Sequence, residues 1–91
     1  MASNSYGNAS VDTSADIIIA DLTERRSVLL KNNGSAIVYV GFDSSVTSSN
    51  GFPLMPQDTM EIAGTIVSRG TVIYGISASG TQDIRYMTWS S

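Results

Sequence analysis

The sequence predicts an all-β domain, an antiparallel β-sandwich or a jelly-roll-like barrel with an extended N-terminal arm. Short apolar runs rich in β-branched residues recur along the chain, and turns containing Gly or Asn separate them about every 8–12 residues. No ten-residue window carries a convincing helical stripe. The 91 residues suffice for one domain. We therefore expect an arm over residues 1–14 and a single β domain over residues 15–91.

The predicted arm is small and polar, with Tyr6 and Val11 as its potential anchors. Such a segment cannot bury enough apolar surface to offset the entropy lost on ordering it. Two interpretations are open: a disordered end, or an arm that becomes ordered on a neighbouring subunit.

Apolar runs predict the strands, and the residues between them predict turns. The Asn33-Gly34 pair predicts a hairpin, since both residues tolerate positive φ, and the sequence ASGT at 78–81 predicts another. The nearest helical alternative is DLTERRSVLL at 21–30, where Asp21 could cap and Glu24 follows three residues later; we prefer a turn leading into a strand. The apolar runs that indicate strands are 15–20, 25–32, 36–41, 59–64, 70–77 and 82–89. Within them we predict strands at 26–32, 36–41, 72–77 and 83–89.

Period-two alternation predicts which side chains point inward. In the run at 70–77 we assign Val72, Tyr74 and Ile76 to the buried face. In the last run we assign Ile84 and Tyr86 to the inner face, with Asp83, Arg85, Met87 and Trp89 opposite. The predicted core comprises Ile18, Val28, Leu30, Val38, Val40, Leu54, Ile62, Val72, Tyr74, Ile76, Ile84 and Tyr86.

The polar stretch DSSVTSSNGFPL, residues 43–54, is either a binding loop or a long turn between strands. Its Ser and Asn side chains can bond their own backbone and hold a compact loop. We expect its apolar residues Val46, Phe52 and Leu54, with the following Met55, to tuck back onto the sheets. Pro53 and Pro56 argue against a central strand here.

Composition excludes several kinds of chemistry. The chain has no Cys and no His, so it has no disulfide, no thiolate metal site and no nucleophile–histidine pair. Charged residues are 14% of the chain, and the net charge is −3 with five basic residues, which makes nucleic acid and anionic membranes poor partners. We expect no cofactor and no bound metal.

No catalytic constellation emerges from the spacing of the polar residues. Lys31 is the single lysine and lies beside a predicted turn. Tyr86 and Trp89 fall on opposite faces of one strand, so they do not form one aromatic platform, and Trp89 is better assigned to core or interface packing. The acidic residues Asp43, Asp58, Glu61 and Asp83 show no pairing that favours glycoside hydrolysis. We expect no enzymatic activity.

Two stretches resemble a pattern found in small structural proteins of tailed bacteriophages. The first is SVLLKNNGSAIVYVGFDSSVTSSNGFPLMPQDTMEI and the second is GTVIYGISASGTQDIRYMTW; together they cover about two-thirds of the chain. One departure is Gln57, where the pattern has Gly after Pro, which leaves the turn type open. The matching residues are Leu30, Asn32, Gly34, 38–41, 43–47, Asn50, Gly51, Pro53, Leu54, Pro56, Asp58, Glu61 and 71–85.

The resemblance implies a β-sandwich or jelly-roll-like virion component without catalytic residues. The expected function is a capsid decoration (cement) protein that binds the major capsid protein and stabilises the head lattice. The alternative is a receptor- or glycan-binding module of a phage tail or head fibre. The implied location is the virion, assembled in the cytoplasm of the bacterial host.

Small size also favours self-association, because a domain of this length without disulfides or metals has modest stability alone. We expect a homotrimer, since decoration proteins of the resembled kind commonly occupy threefold positions of the capsid lattice. The residues predicted to form interfaces are Tyr6, Val11, Asp43, Ser44, Asn50, Phe52 and Trp89.

Overall fold

The computed structural model describes residues 4–20, 26–62 and 72–90, and these residues form two antiparallel four-stranded sheets. No described residue is helical, so the all-β prediction is confirmed. The predictions for residues 1–3, 21–25, 63–71 and 91, including the turn at 21–25 and the helix start at Asp21 that is its alternative, lie outside the described residues. The strands are β1 (Asn4–Val11), β2 (Asp16–Ile19), β3 (Arg26–Asn32), β4 (Val38–Gly41), β5 (Phe52–Leu54), β6 (Thr59–Ile62), β7 (Ile73–Ser77) and β8 (Gln82–Ser90).

The strand order is that of a jelly roll. One sheet, called sheet 1 below, has the order β1-β8-β3-β6, and the other, sheet 2, has the order β2-β7-β4-β5. Successive strands therefore mostly alternate between the two sheets, which is how a jelly roll encloses one core between two layers. Pro53 lies in β5, an edge strand of sheet 2, where a missing N–H costs no central ladder bond.

The predicted N-terminal arm is wrong over residues 4–11. These residues form β1, which pairs antiparallel with β8 from Asn4 opposite Trp89 to Val11 opposite Gln82. Val11 has no exposed surface and belongs to the core, and Ala9 packs against it. The segment is too polar to fold alone, but pairing with β8 provides hydrogen-bond partners for its backbone N–H and C=O groups.

Both predicted hairpins are wrong, because their strands belong to different sheets. β3 lies in sheet 1 and β4 in sheet 2, and β7 and β8 are divided in the same way. Gly34 does not take positive φ; it is needed because a Cβ there would collide with the Gln82 side chain. Gly80 does adopt positive φ, at 63°, in the passage from β7 to β8. Both segments do lie between strands, as predicted, but the strands that they join are on opposite sides of the core.

Buried amide side chains hold the passage from β3 to β4 in place. Asn32 is fully buried, and its Nδ2 donates to the carbonyl oxygens of Ala36 at 2.8 Å and Leu54 at 2.9 Å. Its Oδ1 accepts from the Gly34 N–H at 2.9 Å. Gln82 Oε1 accepts from the Ser35 and Ala36 N–H groups. The two side chains replace the backbone ladder that a hairpin would have provided.

The turn after β5 accounts for the departure at Gln57. The Asp58 N–H donates to the Met55 carbonyl oxygen at 3.0 Å, and Gln57 has a φ of 69°. Pro at the second position and positive φ at the third define a type II turn, which favours Gly at the third. Gln57 takes this conformation while its Nε2 donates to the Gly34 carbonyl oxygen at 3.3 Å.

The core is largely as predicted, but the faces of β7 are inverted. Ile73, Gly75 and Ser77 point inward, whereas Val72, Tyr74 and Ile76 are only half-buried. Gly75 allows close packing, since a Cβ there would lie 2.8 Å from Ile18 Cδ1. Tyr86 is also half-buried, although it packs against the core as expected. The buried hydrophobic residues are Val11, Ile18, Ile19, Val28, Leu30, Val38, Val40, Val46, Leu54, Ile62, Ile73 and Ile84.

Candidate interaction surfaces

The loop between β4 and β5 is held together by its own polar groups. Asp43 Oδ1 accepts from the Ser45 N–H at 3.0 Å and from the Ser45 hydroxyl at 2.5 Å. Asn50 Oδ1 accepts from the Thr47 N–H at 2.7 Å, while Asn50 Nδ2 donates to the Ser45 carbonyl oxygen. The hydroxyl of Ser45, followed by its N–H, holds the pKa of Asp43 below its ordinary value of 3.8. The long-turn interpretation therefore accounts for these side chains.

Apolar residues of this loop divide into a buried and an exposed set. Val46 is 5% exposed and packs between Gly41 and Gly51, and Leu54 is also buried. Phe52 and Met55, which we expected to tuck back, are 65% and 46% exposed. Phe52 is the first residue of β5 and Met55 follows its last. β5 is a three-residue edge strand that pairs with β4 on one side and has no described strand on the other.

The outer face of sheet 2 is apolar and uncharged across its four strands. The register places Ile17 opposite Tyr74, and it places Tyr39 between Ile76 and Pro53. Ile17 is 50% exposed, while Tyr39, Tyr74 and Ile76 are half-buried. An antiparallel sheet with one face on the core usually carries polar residues on the other face. Sheet 2 departs from this rule, because its outer face is apolar as well.

The outer face of sheet 1 carries two parallel rows of side chains that the ladder aligns. Tyr6, Met87 and Leu29 stand opposite one another on β1, β8 and β3, and they form the apolar row. The polar row lies two residues further along the strands. Between them the two rows line most of a surface groove of about 490 Å³. The polar row consists of Asn8, Arg85, Lys31 and Thr59.

Charges on this face are unevenly distributed. Arg85 and Lys31 are directly opposite each other on neighbouring strands. Arg85 Nε forms an ion pair with Asp83 Oδ2 at 2.8 Å, outside the groove. The Asn33 side-chain amide, with a smaller contribution from the Arg85 guanidinium, holds the pKa of Asp83 below its ordinary value. Glu61 lies beyond Leu29, at the end of the apolar row.

The predicted interface residues fall into three places. Tyr6 is 85% exposed, and half-buried Trp89 lies on the same outer face, next to Met87 along β8. Asp43, Ser44, Asn50 and Phe52 are exposed on sheet 2, in the β4–β5 loop and at its end. Val11 is fully buried, so it contacts the core and no partner.

Sequence reasoning missed the residues that make the outer face of sheet 2 apolar. The signal was present in VIYGI at 72–76, a continuous apolar run rather than an alternating one. Such a run is typical of a strand that is buried on both faces. An alternating pattern would place the larger side chains, Tyr74 and Ile76, in the core, whereas a continuous run leaves both faces of the strand apolar.

Within the described ranges, no three or more acidic side chains are grouped so that they could hold a metal ion. No helix among the described residues is long and apolar enough to cross a membrane.

Comparison with known proteins gives a likeness of fold alone. No family model matches the chain, and no curated protein matches it. Among solved structures, it is similar to a chain from Bacillus endospore appendages, described as a novel family of disulfide-linked pili. The TM-score is 0.62 at 16% sequence identity, over 100% of this chain and 87% of the other. The present chain has no cysteine, so the likeness extends to the β architecture and not to disulfide linkage.

Proposed function

We propose that this protein is a non-enzymatic structural subunit of a virion, a capsid decoration protein that binds the major capsid protein and stabilises the head lattice. The observation that carries the proposal is the outer face of sheet 2, which is apolar and uncharged where a free-standing sandwich would be polar. Contiguous apolar side chains left uncovered on a sheet mark an interaction site.

Burial of this face between subunits would stabilise a small domain. Completing the burial of one half-exposed Ile such as Ile17 contributes about 1 kcal/mol, half the value for a fully buried aliphatic side chain. The described outward-facing side chains of this sheet carry no charge, so their burial would desolvate no ionised group. We assign this face to self-association and retain the homotrimer as the proposed oligomer.

Two further observations support an assembly role. The motifs at 27–62 and 70–89 resemble those of bacteriophage structural proteins, and the fold is similar to that of a protein from endospore appendages. A trimer would also present three copies of every other surface, so that modest contacts to a lattice add by multivalency.

The oligomeric state tests the assignment of sheet 2. We expect the wild-type protein to sediment as a trimer at micromolar concentration and Ile17→Lys to sediment as a monomer, because the lysine ammonium would be buried without a partner. Met55→Lys is the matched control: Met55 is similarly exposed, at 46%, but lies in the turn after β5. A wild-type monomer, or equal loss of the trimer in both variants, would contradict the assignment.

Copy number tests the proposed location. A decoration protein should be present in on the order of hundreds of copies per particle, similar to the copy number of the major capsid protein, because it occupies repeated lattice positions. A tail component should be present in about a few tens of copies or fewer, because the tail offers fewer equivalent positions. Quantitative mass spectrometry of purified particles against the major capsid protein measures this ratio. A count of a few tens would overturn the capsid assignment and leave the tail or head-fibre alternative.

A receptor- or glycan-binding module remains the second candidate, and one observation favours it. Tyr6 is an exposed aromatic at the side of a groove that also contains hydrogen-bonding side chains, including Asn8 and Arg85. Aromatic faces stack on sugars, and flanking polar groups bind their hydroxyls. A glycan array should be blank for a decoration protein, whereas reproducible binding that is lost in Tyr6→Ser would favour the module.

A further inference from the structure

We propose that the groove across the outer face of sheet 1 binds an extended, carboxylate-bearing segment of a protein partner. In this complex an apolar side chain of the partner lies on the row formed by Tyr6, Met87 and Leu29. A carboxylate of the partner, meanwhile, bridges Lys31 and Arg85. The inference rests on the proposal that the protein docks on a larger particle, and it specifies the chemistry of the surface that docking requires.

Two of the three side chains of the apolar row are largely exposed to water. Tyr6 is 85% exposed and Met87 is 55% exposed, and the register makes them direct cross-strand neighbours. Leu29 continues the row on β3, and half-buried Trp89 flanks it on β8. Aromatic and Met side chains are the types enriched at protein–protein interfaces. The row therefore favours a protein side chain over a sugar hydroxyl.

The polar row specifies the charge of the ligand. Lys31 and Arg85 lie directly opposite each other, and like charges in this position destabilise a sheet. Arg85 is paired with Asp83, but no described carboxylate pairs with the Lys31 ammonium. A carboxylate placed between the two cations would remove their repulsion and accept from both. In a chain with only five basic residues, two of them line this groove.

The spacing of the two rows determines the sequence pattern of the ligand. The rows are two residues apart along the strands, which is roughly 7 Å. Side chains two residues apart on one face of an extended segment have the same separation. The groove volume of about 490 Å³ accommodates two such side chains. Glu61, at the β6 end of the apolar row, repels a second carboxylate there and so fixes which row receives the acid.

A peptide titration tests the inference on the isolated protein. The probe is the acetylated and amidated peptide Asp-Ser-Phe-Ser-Asp, and its matched control carries Asn in place of both Asp. We expect amide shifts in ¹⁵N NMR spectra to cluster at Leu29, Lys31, Arg85 and Met87. The control peptide should bind about threefold to tenfold more weakly, as expected for two partly exposed ion pairs.

Variants of the protein should respond with opposite signs. Lys31→Gln should weaken binding of the acidic peptide severalfold and leave the Asn peptide unaffected. Glu61→Gln, which neutralises the carboxylate at the edge of the same face, should strengthen binding of the acidic peptide. Tyr6→Ser should weaken binding of both peptides, while the matched variant Phe52→Ser, an exposed aromatic on sheet 2, should bind like the wild type.

Several results would overturn the inference. These are no binding of the acidic peptide, equal affinity for the two peptides, shifts outside the groove, or displacement of the peptide by an uncharged oligosaccharide. Sedimentation of the wild type and Lys31→Gln with particles separates this inference from the proposed function. If the wild type attaches to particles and Lys31→Gln attaches with the same affinity, particle docking stands and the groove is refuted. Peptide binding by a protein that attaches to no particle supports the groove and refutes the decoration role.

Discussion

Removal of residues 1–11 is expected to unfold the domain. These residues include the whole of β1, whose eight residues pair with β8, and they also carry Val11, which has no exposed surface. Their loss would expose the edge of β8 and the core beneath Ala9 and Val11. Burial of one Val alone contributes about 1.5–3 kcal/mol, which is a large share of the stability of a small domain.

Far-UV circular dichroism and thermal melting measure this effect. The truncated protein should lack a cooperative transition, whereas a chain that begins at Asn4 retains every described β1–β8 pair and should still melt cooperatively. Val11→Ala should show a partial effect, a loss of about 1–3 kcal/mol in the free energy of unfolding. A truncated protein with a wild-type melting curve would restore the interpretation of residues 1–14 as a dispensable arm.

Replacement of Asn32 by Leu is expected to be the most damaging single substitution among the polar residues. The side chain is fully buried and makes three hydrogen bonds, to Ala36, Leu54 and Gly34. Leu has a similar size but leaves these backbone groups without a partner. Each unsatisfied buried group costs about 1–3 kcal/mol, so we expect a loss of about 3–5 kcal/mol in the free energy of unfolding.

The adjacent Asn33 provides the control for this substitution. Its side chain is exposed and donates to Asp83 Oδ2 at 3.2 Å, so Asn33→Ala should cost less than about 1 kcal/mol. Urea denaturation of the wild type and both variants gives the comparison. Similar midpoints for Asn32→Leu and the wild type would show that water or backbone rearrangement satisfies the groups that Asn32 now binds.

Local polar chemistry in the β4–β5 loop could be predicted because each interaction is close in sequence. Asp43 bonds Ser45, and Asn50 bonds Thr47 and Ser45, all within five residues. Asp, Asn, Ser and Thr side chains commonly form hydrogen bonds with backbone groups a few residues away, so these contacts are expected in a short polar loop. The exposure of Phe52 could not be predicted in this way, because it depends on β5 lying at the edge of its sheet.

Residues of the two outer faces illustrate the same division. Alternation along the last strand predicts that one face carries Asp83, Arg85, Met87 and Trp89, and the structure confirms this. Pairing between segments far apart in the chain places Tyr6 opposite Met87 and Lys31 opposite Arg85. No local pattern encodes that register, so the groove became visible only with the sheet assembled.

The sequence by itself determined the all-β class, the strand positions from β2 to β8 apart from the short β5, and most of the core. Period-two apolar patterns and turn residues act locally, within one strand and its flanks. The tertiary structure decided which strands pair, that residues 4–11 form a strand, and that β7 buries Ile73 and Gly75 instead of Tyr74 and Ile76. These outcomes depend on long-range contacts, because β1 is stabilised by β8 at the other end of the chain, and a strand that is apolar on both faces is oriented only by what packs against it.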